Sequence, residues 1–291
     1  MTAPDQTYLV PGADGVRTFV AEWQPTVQPD GPARLPVLLV HGLTRNHRDF
    51  LPLVPHLTAA GRRVIAVDVR GRGRSDRDPN PANYHVGTYV PDMAAVLAAL
   101  SVPKAVWIGT SMGGLIATMT AVFMPHLVAG VLLNDVGPEI DPTGLARIQS
   151  YVGEVRPARS WEEATAMIRA IGEAAFPGRD DAFWSDFARR TMDEGPDGPV
   201  FAYDPAISTL TRATPATEIP TMWPQFEALR PLPLAVVRGA LSDLLAASTV
   251  ARMAELKPDL IVAEVPDTGH APILDEPEAV AAIHALLERT G

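Results

Sequence analysis

A serine hydroxyl becomes a useful nucleophile only beside a base, and two stretches of this sequence offer such a pair. Ser111 stands in Gly109-Thr110-Ser111-Met112-Gly113, directly after the apolar run Ala105–Ile108 and at the start of a helix-like segment. A G-x-S-x-G stretch between strand and helix lifts the serine hydroxyl clear of a sheet on a strained turn. Its glycines remove side chains that would clash where strand and helix run close. The helix N-terminus behind Ser111 favours negative charge developing nearby. His270 lies in Asp267-Thr268-Gly269-His270-Ala271-Pro272, a loop between the run Ile261–Val265 and the last helical segment. The other six histidines suit a base less well. His47, His56, His126 and His284 fall in or beside helical segments, His85 sits in a polar loop, and His41 ends a strand and reads as structural.

The imidazole of such a pair needs a carboxylate to hold its tautomer and stabilise its positive form. Two aspartates follow apolar strands: Asp135 after Val131–Leu133, and Asp243 after Leu234–Gly239. Asp243 is the preferred acid, because one helix and one strand separate it from His270, so both loops emerge on the same carboxyl edge. Asp135, which leads straight into a long insertion, stays open as an acid placed one strand earlier. The developing oxyanion needs donors as well. His41-Gly42-Leu43 ends the strand Val37–Val40 on that same edge, and Gly42 lets the chain turn the Leu43 N–H toward the reacting carbonyl. The N–H of Met112, next to the nucleophile, is the second donor.

Asp68-Val69-Arg70-Gly71-Arg72-Gly73-Arg74-Ser75 invites a dinucleotide reading, but it lacks the third glycine of G-x-G-x-x-G and a strand-borne acid in the right place. A tight structural loop is expected there. With no P-loop and no H-E-x-x-H, neither a nucleotide nor a catalytic metal is expected.

The elements that must position these residues recur in a rhythm. Val37–Val40, Val64–Val67, Ala105–Ile108, Val131–Leu133, Leu234–Val237 and Ile261–Val265 are apolar throughout, as strands buried on both faces are. Helix-length segments lie between them, at Asp49–Ala60, Tyr89–Leu100, Met112–Met124 and Pro277–Arg289, which argues for a mostly parallel α/β sheet. Pro25–Pro36 reads as a surface connection. The interval from Gly137 to Arg230 carries helical patches (Gly144–Val152, Trp161–Ala175, Ala182–Met192) without a convincing core strand. An insertion of that length is expected to have structure of its own and to cover something. Residues 1–136 and 231–291 then form a core domain, with 137–230 a mainly helical cap whose Trp161, Trp184, Tyr203 and Trp223 offer pocket walls.

The 291 residues include no cysteine, which excludes disulfides and thiolate chemistry. The net charge of −10 repels a phosphate backbone, and the arginines at 70, 72, 74 and 77 are interleaved with Asp68, Asp76 and Asp78, so no nucleic-acid partner is expected. Residues 1–10 lack the basic start and apolar core of a secretory signal, and no apolar stretch is long enough to span a bilayer, so the cytoplasm is the expected setting.

Over nearly its whole length the chain resembles the α/β-hydrolase superfamily. The segments VLLVHG, DVRGRGRSD, WIGTSMGG, VVRGALSD and DTGHAP stand in that family's order, with a cap inserted after the LLND strand. Within the family it looks like the microbial carboxylesterases near the enol-lactonases and cofactor-free haloperoxidases. The resemblance implies a cap after the sixth strand, the chain order Ser, Asp, His, and acyl-enzyme chemistry on small-molecule esters without a cofactor. Dehalogenases and epoxide hydrolases carry Asp where this chain has Ser111. Epoxide hydrolases usually have H-G-x-P, where Thr44 follows Leu43 here, and carbon–carbon bond hydrolases tend to place Trp where Ala271 stands. A carboxylic ester hydrolase is therefore expected. A lactonase or perhydrolase using the same triad, or a non-catalytic receptor retaining the fold, stand as alternatives.

Overall fold

A computed structural model describes residues 3–27, 32–153 and 156–291. Eight strands form one sheet: β1 (Gln6–Pro11), β2 (Arg17–Trp23), β3 (Val37–Val40), β4 (Val64–Asp68), β5 (Ala105–Thr110), β6 (Val128–Asn134), β9 (Leu234–Gly239) and β10 (Ile261–Val265). Their spatial order is β1-β2-β4-β3-β5-β6-β9-β10. From β4 to β10 all neighbours are parallel, whereas β2 runs antiparallel to both β1 and β4. This is the α/β-hydrolase architecture expected from the sequence, and the long insertion does follow the sixth strand.

The apolar strands alternate their side chains between two cores. Leu38, Val40, Ile65, Val67, Trp107, Val131 and Leu133 pack on one face, together with α2 (Val86–Ala99), α3 (Met112–Phe123) and α9 (Ala247–Leu256). Val37, Leu39, Val64, Ala66, Val106, Ile108 and Leu132 pack on the other, under α1 (Val54–Ala59) and α10 (Pro277–Glu288). Both faces being covered, no polar position interrupts β3 or Val64–Val67 of β4, and a run apolar throughout is what the sequence displays.

One local reading is corrected and one element was missed. Asp49–Ala60 is not one helix: a 3-10 turn over His47–Phe50 is followed, after Leu51–Leu53, by the short α1. Pro52 and Pro55 withhold the N–H groups that a continuous helix needs, and Pro55 is tolerated only in the first turn of α1. The hairpin β1–β2 had no counterpart in the pattern, because β1 is largely exposed at the sheet edge and presents no apolar run. Of the proline-rich connection 25–36, residues 28–31 lie outside the described residues.

Between β6 and β9 lie α4 (Pro142–Tyr151), α5 (Trp161–Gly172), α6 (Asp181–Thr191), a small separate hairpin of β7 (Met192–Gly195) and β8 (Gly198–Phe201), α7 (Ser208–Ala213) and α8 (Trp223–Phe226). Asp141, Ser160 and Asp180 cap the first three helices by accepting a backbone N–H in the first turn. Several hydrogen bonds tie this segment to the sheet's carboxyl edge. Asn46 Nδ2 donates to Arg190 O at 2.9 Å, Gly73 N to Ala202 O at 2.7 Å, and Gly269 N to Ala175 O at 2.6 Å. Among the described residues no helix is long and apolar enough to cross a membrane.

Candidate active site

The turn from β5 into α3 forces Ser111 to φ 51° and ψ −115°, a region costly for a residue with a side chain. Close packing dictates that turn. A Cβ on Gly113 would lie 1.9 Å from the Val40 carbonyl oxygen, and one on Gly109 would lie 2.4 Å from the backbone of Gly113, so both positions admit only glycine. Ser111 N donates to Asn134 O at 2.9 Å, which ties the turn to the end of β6. Asn134 Nδ2 in turn donates to Thr110 Oγ1 and to Pro272 O, binding the serine turn to the His270 loop.

Ser111 Oγ and His270 Nε2 stand 3.0 Å apart. On the ring's other side, His270 Nδ1 is 2.7 Å from Asp135 Oδ2. Asp135 is fully buried, and its backbone takes φ 54° immediately after β6. That abrupt turn, with Asp135 N donating to Val237 O, aims the carboxylate between β6 and β9. There it also accepts from Gly239 N at 2.8 Å and Ser242 Oγ at 2.6 Å.

Asp243 is not the partner of His270, and the sequence reading is corrected on this point. Its carboxylate is held by Arg147 of α4, through Nε at 2.6 Å and Nη2 at 2.8 Å. These guanidinium hydrogen bonds keep the Asp243 carboxyl below the usual carboxylate range. The reason lies in sheet order. β6, not β9, adjoins β5, the strand that leads into Ser111, so the first residue past β6 reaches the imidazole, while Asp243 stands on a loop beyond β9 and faces the inserted segment. The neighbour of the expected residue, Ser242, does reach the site through Asp135.

The turn after β3 brings Gly42 beside Ser111, and a Cβ there would stand 3.7 Å from the serine Cβ. His41 is fully buried and pins this turn. Its Nδ1 lies 2.7 Å from Gly42 O, and its Nε2 accepts from Val69 N at 2.9 Å. These partners require the neutral Nδ1–H tautomer, and burial holds the imidazole neutral by pulling its pKa down to about 4. In a trans peptide the carbonyl and the next N–H point oppositely, so gripping Gly42 O also fixes the direction of the Leu43 N–H. Among the described residues no hydrogen bond engages the N–H of Leu43 or of Met112.

These groups open into a cavity of about 130 Å³ whose walls come from both the sheet edge and the insertion, including Leu43, Arg147, Ile171, Phe176, Phe187 and Tyr203. Of the four aromatics offered as walls, Tyr203 alone lines it. Trp184 is buried in edge-to-face contact with Phe176, Phe183 and Phe187, while the indole N–H groups of Trp161 and Trp223 donate to Glu194 and Glu139. The phenylalanines that do line it come from separate elements, Phe50 from the 3-10 turn, Phe176 from beyond α5, Phe187 from α6 and Phe201 from β8, so no one periodic stripe marked them in the sequence.

A model of the alpha/beta hydrolase family matches residues 37–283. The chain belongs to that family. Like its family, it is a hydrolase. A 3-hydroxybutyrate-oligomer hydrolase from Cupriavidus necator is 38% identical over 259 residues, covering 86% of this chain and 87% of that protein. A 2-(acetamidomethylene)succinate hydrolase from Mesorhizobium japonicum is 29% identical over 80% of this chain and 81% of its own length. Among solved structures, an alpha/beta hydrolase from Novosphingobium aromaticivorans superimposes with a TM-score of 0.90 at 39% identity, over 99% of this chain and all of that one.

Proposed function

We propose that this hydrolase is a serine esterase cleaving short carboxylic esters through an acyl-enzyme, with Ser111 as nucleophile, His270 as base and Asp135 as the carboxylate behind it. The observation that carries this reading is the unbroken relay from Ser111 Oγ through His270 to Asp135, with contacts of 3.0 and 2.7 Å. Ser111 attacks the ester carbonyl as His270 Nε2 takes its proton, and the imidazolium formed is stabilised by Asp135. The N–H groups of Leu43 and Met112 receive the oxyanion. His270 then returns the proton to the leaving alcohol, activates a water against the acyl-enzyme, and the acid is released.

Residues 137–230 act as a cap that closes the acyl site. A dry cavity of about 150 Å³ holds one benzene, so the space here suits an acyl group of a few carbons rather than a long chain. That size agrees with the substrate in the name of the Cupriavidus necator relative, an oligomer of the short acid 3-hydroxybutyrate. Oligomers of 3-hydroxybutyrate are therefore the first natural esters to assay.

A fluorophosphonate should add its mass to the wild-type chain on Ser111 and leave Ser111→Ala unmodified. Hydrolysis of p-nitrophenyl butyrate should exceed that of the palmitate by at least an order of magnitude. An unlabelled wild type would instead favour a receptor without catalysis, and faster turnover of lactones, or of peroxide with halide, would move the assignment within the same triad.

A further inference from the structure

The loop after β4, Val69–Arg74, takes no part in the relay, yet one of its side chains reaches both residues assigned to the oxyanion. Arg72 is buried, 1% exposed. Its Nε donates to Leu43 O at 2.9 Å, and its Nη2 lies 3.7 Å from Met112 Sδ. Nη1 donates to Arg70 O and to the Tyr89 hydroxyl, each at 2.8 Å, and the guanidinium carbon stands 5.6 and 5.2 Å from the ring centres of Tyr84 and Tyr89. No carboxylate forms an ion pair with it among the described residues. The contrast with Arg70, two positions earlier, is sharp: that buried guanidinium engages Asp14, Asp78 and Asp92.

We propose that Arg72 is a positioning residue of the oxyanion hole, holding the Leu43 backbone in place, packing against the Met112 side chain, and lending the hole an unneutralised positive charge. The inference rests on the serine-esterase reading above. Successive peptide planes of the loop are gripped in turn: His41 holds the Gly42 carbonyl, and Arg72 holds the Leu43 carbonyl. With both fixed, the Leu43 N–H need not reorient as charge develops, which is the condition for strong electrostatic stabilisation. A buried cation without a carboxylate is costly. Here the expense has a return at the one place where negative charge appears during turnover. Arginine suits the task better than lysine, since its planar fork serves Leu43, Arg70 and Tyr89 at once.

The test compares Arg72→Met, Arg72→Gln and Arg72→Lys with the wild type in steady-state hydrolysis of p-nitrophenyl butyrate and in inhibition by 1-butaneboronic acid. The boronate adds to Ser111 and places a negatively charged oxygen in the hole. Arg72→Met should lose about 10- to 100-fold in kcat, below the roughly 10²–10³ typical of deleting a whole donor, with KM nearly unchanged. Boronate affinity should fall in step. Arg72→Lys should recover part of both losses through its charge, and Arg72→Gln a smaller part through its hydrogen bond to Leu43 O. If Arg72→Met does not fold, the Lys and Gln variants decide alone. Variants with wild-type kcat and boronate affinity, or with a loss confined to KM, overturn the proposal while leaving the esterase reading intact. A wild type that takes no fluorophosphonate overturns both.

Discussion

Ser242 Oγ donates to Asp135 Oδ2 at 2.6 Å, the same oxygen that faces His270 Nδ1 at 2.7 Å. With Gly239 N on its other oxygen, the carboxylate is held from two sides and offers the imidazole a fixed acceptor. The hydroxyl is itself anchored, accepting the N–H groups of Leu244 and Leu245 at 3.2 and 3.1 Å.

Asp135→Asn should therefore lower kcat by roughly 10⁴, since an amide would favour the wrong imidazole tautomer. Asp243→Asn should stay within about tenfold of wild type, because its carboxylate serves Arg147 rather than His270. Steady-state kinetics on one short ester separate the two. The reverse ranking would return the acid to Asp243.

Arg147 lines the cavity and joins α4 to the loop after β9 through Asp243, a pair whose side chains are 28% and 30% exposed. Removing it with Arg147→Met should cost no more than about 1 kcal/mol of stability, as partly exposed ion pairs do. The larger effect expected is on substrate binding, a severalfold rise in KM at nearly constant kcat. Thermal melting and a kcat and KM comparison give both numbers.

His41 carries a pH dependence with a defined sign. Its folded-state pKa of about 4 lies below the ordinary imidazole value of 6.5, so protonation favours the unfolded chain. Its contribution is fully present above about pH 6.5 and is lost as pH falls through that window toward 4, by roughly 3 kcal/mol in all. The stability gap between wild type and His41→Asn should accordingly narrow as urea titrations move from pH 7 to pH 4. A gap constant over that range would contradict the burial argument.

Gly113→Ala forces a Cβ toward the Val40 carbonyl, and neither β3 nor α3 can retreat without disturbing the sheet. A loss of about 3 kcal/mol or more is expected, together with loss of activity, because the serine turn must shift. Chemical denaturation and fluorophosphonate labelling of the same sample would report both.

The serine turn, the histidine loop and the sheet's parallel core were legible because each rests on local constraints: glycines where backbones touch, and unbroken apolar runs where both faces are covered. The acid was not, since choosing between Asp135 and Asp243 requires knowing which strand lies next to β5. Strand order is a long-range property that composition and spacing do not carry. Arg72 was hidden for a related reason. In sequence it belongs to an arginine-rich turn, and only folding shows that Asp76 and Asp78 pair with Arg17 and Arg70 while Asp68 faces His47 and the Arg74 N–H.

The hydrogen bond from Gly269 N to Ala175 O joins the histidine's loop to the insertion. Whatever reshapes the walls of the cavity therefore also leans on His270, the proposed base. Exchanging residues 137–230 for those of a relative would alter turnover number along with substrate choice, so selectivity and speed in this scaffold are mechanically linked and would have to be tuned together.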